Sequence, residues 1–403
     1  MFAHGTVYTE KRMNQKLEPH YGAGVDGAKF WPRPKLIKKT LRTLKSGGSI
    51  ALFGPRRTGK SSVMKETKRL LSEDNKFHVI ELNLEGRVSM TAFVTRLLKQ
   101  LPEQTGKSLL QRWTQLPFLP EALTEAIKRF SDGKAGGGKA DDSLFMEFWA
   151  QLAEAVEKQV LESDKTIVFF FDELPYFCDN QIEAGVTPDT IDTFLATLRR
   201  WRQAGIPMAI AGSIGIREIA RQHGLEMDHL NDLVSVTIPP LDDDDAKDML
   251  RALAAGFELN WWSDELADAV LATTADTFPS FLQRAMIEIE SEDARTPEAV
   301  ATALKGTYRR EFEISFFEQF SKRLKHYGDE EPTARKILST LAARNPCDVG
   351  ALAEAAKETG MDDDAIQNLL IALEQDAFIA TDPETREAVF AYKVVETWWR
   401  SRP

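Results

Sequence analysis

The stretch "GPRRTGKSS", residues 54–62, sets two glycines around a pair of arginines and closes on Lys-Ser. It fits the pattern G-x-x-x-x-G-K-[ST] through Gly54, Gly59, Lys60 and Ser61, with Pro55, Arg56, Arg57 and Thr58 inside it and Ser62 after it. Glycine is needed where the chain must turn tightly and bring its backbone close to an anion. The apolar run "SIALF" enters the motif and the helical pattern "SSVMKETKRLL" leaves it. Backbone N–H groups and the positive end of a helix would therefore surround one phosphate group. In that arrangement Lys60 neutralises the β- and γ-phosphates of a nucleotide, and the Ser61 hydroxyl coordinates magnesium. The plain alternative is a glycine-rich turn between strand and helix.

A phosphate loop alone binds a nucleotide without consuming it. The partner it needs is in "TIVFFFDELPYF", where Asp172 follows an apolar run and its carboxylate can join the magnesium shell. Glu173, next to it, is the candidate to orient or deprotonate the water that attacks the γ-phosphate. A capping role for Asp-Glu at the following turn is the simpler alternative. Ser213, in "MAIAGSIGIRE", stands at a strand's carboxyl end, where open α/β sheets bind ligands. It would touch the γ-phosphate or the attacking water, or serve as an ordinary turn serine.

Five short apolar runs must position these groups: "SIALF" (49–53), "FHVIELNL" (77–84), "TIVFFF" (166–171), "MAIAG" (208–212) and "VSVTI" (234–238). Longer helical patterns separate them, which predicts a parallel α/β sheet. The third run has no polar residue from Ile167 to Phe171, as suits a central strand covered on both faces. The roughly 80 residues between the second and third runs exceed what a crossover needs and read as a helical insertion. Its middle, "SDGKAGGGKADD" (131–142), reads as a mobile loop. After "IPPLDDDD" the patterns are helical, with Asp242 to Asp245 placed to cap a helix. From about Tyr327 three helical patterns precede two strand-like runs around a Pro-containing turn, the order of a winged helix.

The composition sets limits on the partners. With 403 residues and 43% hydrophobic content, the chain is long enough for two or three cored domains. A formal charge of -11 argues against a surface that broadly embraces nucleic acid or anionic lipid. Cys178 and Cys347 are the only cysteines, so a disulfide framework is excluded. The start, "MFAHGTVYTEKRMNQ", has no leader pattern and no long apolar span follows, which gives a cytoplasmic, non-membrane expectation.

Together, "FWPRPKLIKKTLRTLKSGGSIALFGPRRTGKSS", "IVFFFDELPYF", "AIAGSIGIRE", "VTIPPLDDDDAKDML" and "FPSFLQRAMIEI" resemble the archaeal-type AAA ATPases. These are relatives of the signal-transduction ATPases with numerous domains (STAND) and, more distantly, of origin-recognition ATPases. The resemblance spans roughly residues 30–290. It implies an α/β P-loop NTPase sheet in the order 5-1-4-3-2, a helical lid, a C-terminal winged helix, and ATP with Mg2+ as the nucleotide. The implied domains are an N-terminal extension (1–29), the ATPase core (30–240) with an insertion at about 88–163, the lid (241–326) and the winged helix (327–403). "FWPRP" occupies the place of the family's Gly-Arg-Glu box, which implies Arg33 near the base or ribose edge. Where relatives carry a lid arginine after Gly-x-Pro, this chain has Phe278, Pro279 and Ser280, with Arg284 about a turn later.

"LRRWRQAG" supplies Arg199, Arg200 and Arg202 as candidates for an arginine finger on an adjacent subunit, which would imply a nucleotide-dependent homo-oligomer. A solvated basic helix face explains them more simply. The third helix of the C-terminal segment, "GMDDDAIQNLLIALEQDAF", has five carboxylates and neither Lys nor Arg. Phosphate contacts need cations, so a protein partner is expected there ahead of DNA. In the tail, at least one of Trp398 and Trp399 is expected to fill a hydrophobic groove. The expected function is a magnesium-ATP conformational switch or assembly factor. The alternatives are a nucleic-acid-associated loader or remodeller, and a nucleotide-binding scaffold that barely hydrolyses.

Overall fold

The protein is described by a computed structural model at residues 16–20, 22, 24–86, 88–101, 149–213, 215–308 and 319–400. The chain divides into two compact units, one within 1–36, 54–65 and 237–403, the other within 37–53 and 66–236.

The second unit is built on strands β1 (Ser49–Phe53), β2 (Phe77–Asn83), β3 (Thr166–Asp172), β4 (Met208–Gly212) and β5 (Leu233–Ser235). They pair in parallel in the order β2-β3-β4-β1-β5, the expected 5-1-4-3-2 read from the other edge. β5 is shorter than the expected 234–238. The Val236 N–H still donates to Ala51 O at 2.8 Å, but Pro239 and Pro240 soon follow and have no N–H to continue a ladder.

β3 is buried from Ile167 to Phe171, as its unbroken apolar run requires. Phe169 and Phe171 project on one face and stack at 5.7 Å, and Phe169 also stacks on Trp201 at 5.5 Å. The helices at the two ends of the insertion, α3 (Met90–Gln100) and α4 (Trp149–Leu161), pack on that face. Phe93 of α3 lies 6.1 Å from Phe171, and Trp149 of α4 lies 5.1 Å from Phe194. The Trp149 indole N–H reaches Thr197 Oγ1 at 3.1 Å, so its one polar atom is satisfied inside the core. The segment 131–142 lies outside the described residues.

The first unit carries four helices after the sheet: α8 (Asp243–Gly256), α9 (Asp264–Thr273), α10 (Pro279–Ser291) and α11 (Pro297–Ala303). Asp242 caps α8 as expected, accepting the Asp245 N–H at 2.8 Å. The C-terminal segment then runs α12 (Glu331–Ala343), β6 (Cys347–Asp348), α13 (Val349–Lys357), α14 (Asp363–Gln375), β7 (Ile379–Thr381), β8 (Glu387–Phe390) and α15 (Lys393–Arg400). Three helices before a β7–β8 hairpin is the expected order. The two-residue β6, which makes a third antiparallel strand beside β8, is an addition to it. Trp398 and Trp399 are both buried on α15, and the Trp399 indole N–H donates to Ser339 Oγ at 3.2 Å. No described helix is long and apolar enough to cross a membrane.

Asp276 acts as a cap from a distance, because its carboxylate accepts the Lys393 N–H at 3.3 Å and the Val394 N–H at 2.9 Å at the start of α15. Burial raises its pKa, although these two backbone donors oppose the rise. The linked stability is therefore complete below the ordinary carboxylate range and is lost as pH rises through the raised value. Asp276→Ala, which strands the buried Val394 donor and the partly buried Lys393 donor, is expected to cost about 1–3 kcal/mol in denaturant unfolding at pH 7. Asp276→Asn keeps an acceptor and should remove that part of the pH dependence.

Candidate functional site

The phosphate loop leaves β1 and turns through three residues with positive φ: Gly54 (147°), Arg57 (68°) and Gly59 (102°). Only glycine takes the first and third of these backbone shapes without a Cβ penalty. The turn directs the chain into α2 (Lys60–Ser72), whose first amides form an anion-binding helix end. Lys60 is buried, and its ammonium donates to Gly54 O at 2.8 Å and Pro55 O at 2.6 Å. The Thr58 hydroxyl closes the loop on Pro55 O at 3.0 Å. A positive charge thus sits among backbone carbonyls beside a row of amide donors, an arrangement suited to a polyphosphate.

Two further groups of the same unit hold this loop. The Arg56 N–H donates to Gln319 Oε1 at 2.9 Å, and Ser280 at the start of α10 donates its hydroxyl to Arg57 O at 2.5 Å. A Cβ placed on Gly54 would lie 3.8 Å from the Tyr392 hydroxyl. Residues of the N-terminal extension reach the first two turns of α2 as well. The Val25 N–H donates to Ser62 Oγ at 3.1 Å, and Lys65 Nζ donates to Gly24 O at 2.6 Å. The extension continues along the four-helix segment, where the Leu17 N–H donates to Ala252 O at 3.0 Å and the His20 N–H to Gln283 Oε1 at 2.7 Å.

In the other unit, Asp172 ends β3 in register with Asn83 of β2 and Ala211 of β4. Glu173 takes a left-handed backbone (φ 60°, ψ 33°) at the cap of α5 (Leu174–Glu183). Such a conformation is costly for a side chain with a Cβ, and it persists only where the surroundings fix it. Here the fixing group is Ser213. Its N–H and its hydroxyl both donate to Glu173 Oε2, each at 3.0 Å. The structure thus brings Glu173 and Ser213 together, and the serine meets the glutamate itself. Both Ser213 donors fall on Oε2, so neither is spent on Oε1.

Arg33, expected near a base or ribose, is buried, with Nη1 on Pro239 O at 2.5 Å and no partner for Nη2 among the described residues. Burial pushes its pKa down to about 10 against the opposing charge of Asp245. Of the finger candidates, Arg202 is buried on α6 (Pro188–Gln203) and grips Asp232 with Nε at 2.7 Å and Nη2 at 2.8 Å. Burial works against ionisation of Asp232, yet the Arg202 hydrogen bond and charge hold its pKa below the ordinary value. Arg202 is therefore an internal tie rather than an exposed finger. Arg200 pairs with Glu157 at 2.8 Å, and Arg284 pairs with Glu288 at 2.6 Å.

Sequence reasoning passed over Ser280 as a loop contact, and also Gln319, Tyr392 and the 16–25 segment. "YGAGVDG" was a usable signal for the last, since glycine clusters mark close backbone approach. A lone glutamine 263 residues from its partner leaves no local trace.

No protein-family model matches the chain, and a search of curated proteins finds no match. Among solved structures, a Walker-type ATPase of Pyrococcus abyssi is similar over 94% of this chain and 99% of its own, at 15% identity and a TM-score of 0.59. The ORC2 protein of Aeropyrum pernix, bound to ADPNP and ADP, aligns over 97% of this chain and 98% of its own, at 11% identity and a TM-score of 0.46. CDC6P of Pyrobaculum aerophilum aligns over 94% and 99%, at 13% identity and a TM-score of 0.40. The first likeness shows a shared P-loop ATPase fold, in keeping with the strand order; the other two are too distant to carry an argument.

A Cβ on Gly24 would fall 2.9 Å from the Ser61 carbonyl carbon and from Ser61 Cβ, closer than such atoms come. Gly24→Ala is therefore expected to push the extension off α2 and to speed proteolytic cleavage between residues 16 and 30 severalfold. An unchanged cleavage rate would mean that the contact carries no weight.

Proposed function

We propose that the chain is a magnesium-dependent ATPase of the archaeal-type AAA group, with STAND relatives, and that ATP binding and hydrolysis switch its conformation or assembly. The observation that carries the reading is the register at the carboxyl edge of the sheet. Phe53, from which the chain enters "GPRRTGKSS", stands opposite Gly212 of β4, and Asp172 stands opposite Ala211 of the same strand. The phosphate-loop exit and the acidic pair thus leave one sheet at one edge, at neighbouring levels, as the chemistry needs.

In this reading the Gly54–Ser62 backbone binds the phosphates, with Lys60 between the β- and γ-phosphates. The Ser61 hydroxyl and the Asp172 carboxylate are hard oxygen ligands of the kind magnesium takes, and they would hold it. The ion, when bound, neutralises charge on the phosphate oxygens. Glu173 directs a water onto the γ-phosphorus and takes its proton. The bond to the β–γ bridging oxygen breaks, giving ADP and inorganic phosphate. Ser213 keeps the Glu173 carboxylate aimed, and the unpartnered Arg33 nitrogen is a donor for the base or ribose side. The C-terminal segment is read as a winged helix that docks a protein, since "GMDDDAIQNLLIALEQDAF" presents no cation for a DNA phosphate.

Lys60→Ala is expected to weaken ATP binding by roughly a hundredfold or more, read by calorimetry, because it removes the charge between the phosphates. Normal binding by that variant would refute the site assignment. Glu173→Gln should retain ATP while turnover falls about 10²–10⁴-fold, the range for loss of a general base. Light scattering of that variant with magnesium-ATP tests the switch, and a mass unchanged from the nucleotide-free protein would remove the assembly reading. Ser213→Ala leaves one of the two donors on Glu173. A drop in kcat of about tenfold with little change in KM is expected, as for loss of one aiming hydrogen bond.

A further inference from the structure

The geometry points to Gln319 as the residue that distinguishes a nucleoside triphosphate from a diphosphate, through a direct hydrogen bond to the terminal phosphate. The inference rests on the ATPase reading above and deepens it. Its basis is the bond between the Arg56 N–H, third residue of the phosphate loop, and Gln319 Oε1 at 2.9 Å.

The donor in that bond is a backbone amide, so the oxygen branch of the carboxamide must face the loop. A primary amide has one acceptor branch and one donor branch. With the oxygen held by Arg56, the Nε2 branch is fixed beside the loop as a donor, and a phosphate oxygen is the acceptor that the loop would bring to it. The Arg57 carbonyl, the next polar group along the loop, is already taken by the Ser280 hydroxyl. These two contacts on the loop are neutral, a hydroxyl and a carboxamide. Arg284 of α10 pairs with Glu288.

The carboxamide is also held in place from behind. Gln319 begins the described helical residues 319–325, and the next residue, Phe320, is fully buried. Phe320 packs on Phe378 at 5.2 Å and on Trp398 at 5.9 Å. One turn on, Arg323 donates to Asp376 O at 2.6 Å and lies 5.3 Å from the Phe378 ring centre. The Tyr327 hydroxyl donates to Asp376 Oδ2 at 2.6 Å. The backbone that carries Gln319 is thus anchored in the core of the C-terminal segment, and a contact from so rigid a base is selective because little has to be ordered on binding. A donor to the third phosphate is satisfied by ATP and left without its acceptor by ADP.

The test is calorimetry on the full chain with magnesium and either AMP-PNP or ADP, for the wild type, Gln319→Ala, Gln319→Glu and Lys60→Ala. Gln319→Ala is expected to raise the Kd for AMP-PNP about tenfold or more, the usual weight of a hydrogen bond to a charged group, and to move that for ADP less than twofold. Gln319→Glu keeps an acceptor for the Arg56 N–H but turns an anionic oxygen toward the phosphate, so its loss on AMP-PNP should exceed that of the alanine variant. Equal loss on both nucleotides would make Gln319 only a support for the loop, and no loss on either would remove it from the site. Both results overturn the inference while leaving the ATPase reading intact. A wild type that binds neither nucleotide, or a Lys60→Ala protein that binds as the wild type does, would sink the ATPase reading and the inference with it. Thermal unfolding of each variant separates these results from misfolding.

Discussion

The phosphate loop can surround an anion only because its backbone turns the wrong way for ordinary residues three times in six positions, at Gly54, Arg57 and Gly59. Two of those turns fall on glycine and cost little. The third falls on Arg57, where a Cβ makes the left-handed shape unfavourable by about 1–2 kcal/mol. A loop with such a residue needs outside support, and its bonds supply it. Lys60 and Thr58 tie it from within, while Ser280 takes the Arg57 carbonyl and Gln319 the Arg56 amide. The strained residue is the one whose carbonyl is gripped from α10. The loop's shape is therefore partly a property of distant chain.

The sheet meets a different constraint. In the proposed hydrolysis Glu173 handles a water molecule, and such a carboxylate must be held still without being neutralised by a cation. β3 provides the stillness through Phe169 and Phe171, locked in an aromatic layer with Phe93, Trp149, Phe194 and Trp201. Ser213 provides the aim with two neutral donors on one Glu173 oxygen. An arginine in its place would have formed a pair like that of Arg202 with Asp232, which keeps the carboxylate ionised and makes it a poor proton acceptor.

How much of this was legible depends on whether the signal is local. β1 and β4 were read to the residue, because each is a five-residue apolar run bounded by turn formers, and Asp242 was read as a cap for the same kind of reason. β5 was read too long because "VSVTI" is strand-like throughout, whereas pairing depends on a neighbour and on the prolines that follow. The phosphate loop, Asp172 and Glu173 were visible as patterns. Ser213 is visible as a position at a strand's carboxyl end, but its glutamate partner, 40 residues away in sequence, is not. A basic helix face hid the difference between Arg202, which is buried, and its neighbours, because burial on a helix is decided by what packs there.

The groups that sequence could not show are those through which the C-terminal segment reaches the nucleotide loop. Asp276 bonds the start of α15, α15 buries Trp398, and Trp398 packs on Phe320 beside Gln319. Each link joins chain segments tens to hundreds of residues apart, and none repeats a motif. The consequence is directional. A change at the third residue of the loop acts on a side chain whose backbone cannot yield without disturbing an aromatic core, so the displacement must pass into the C-terminal segment or be refused. A flexible lid arginine, with four rotatable bonds, would absorb the same change. A short carboxamide on an anchored helix passes it on, which is what the proposed switch would need from the element that meets the loop.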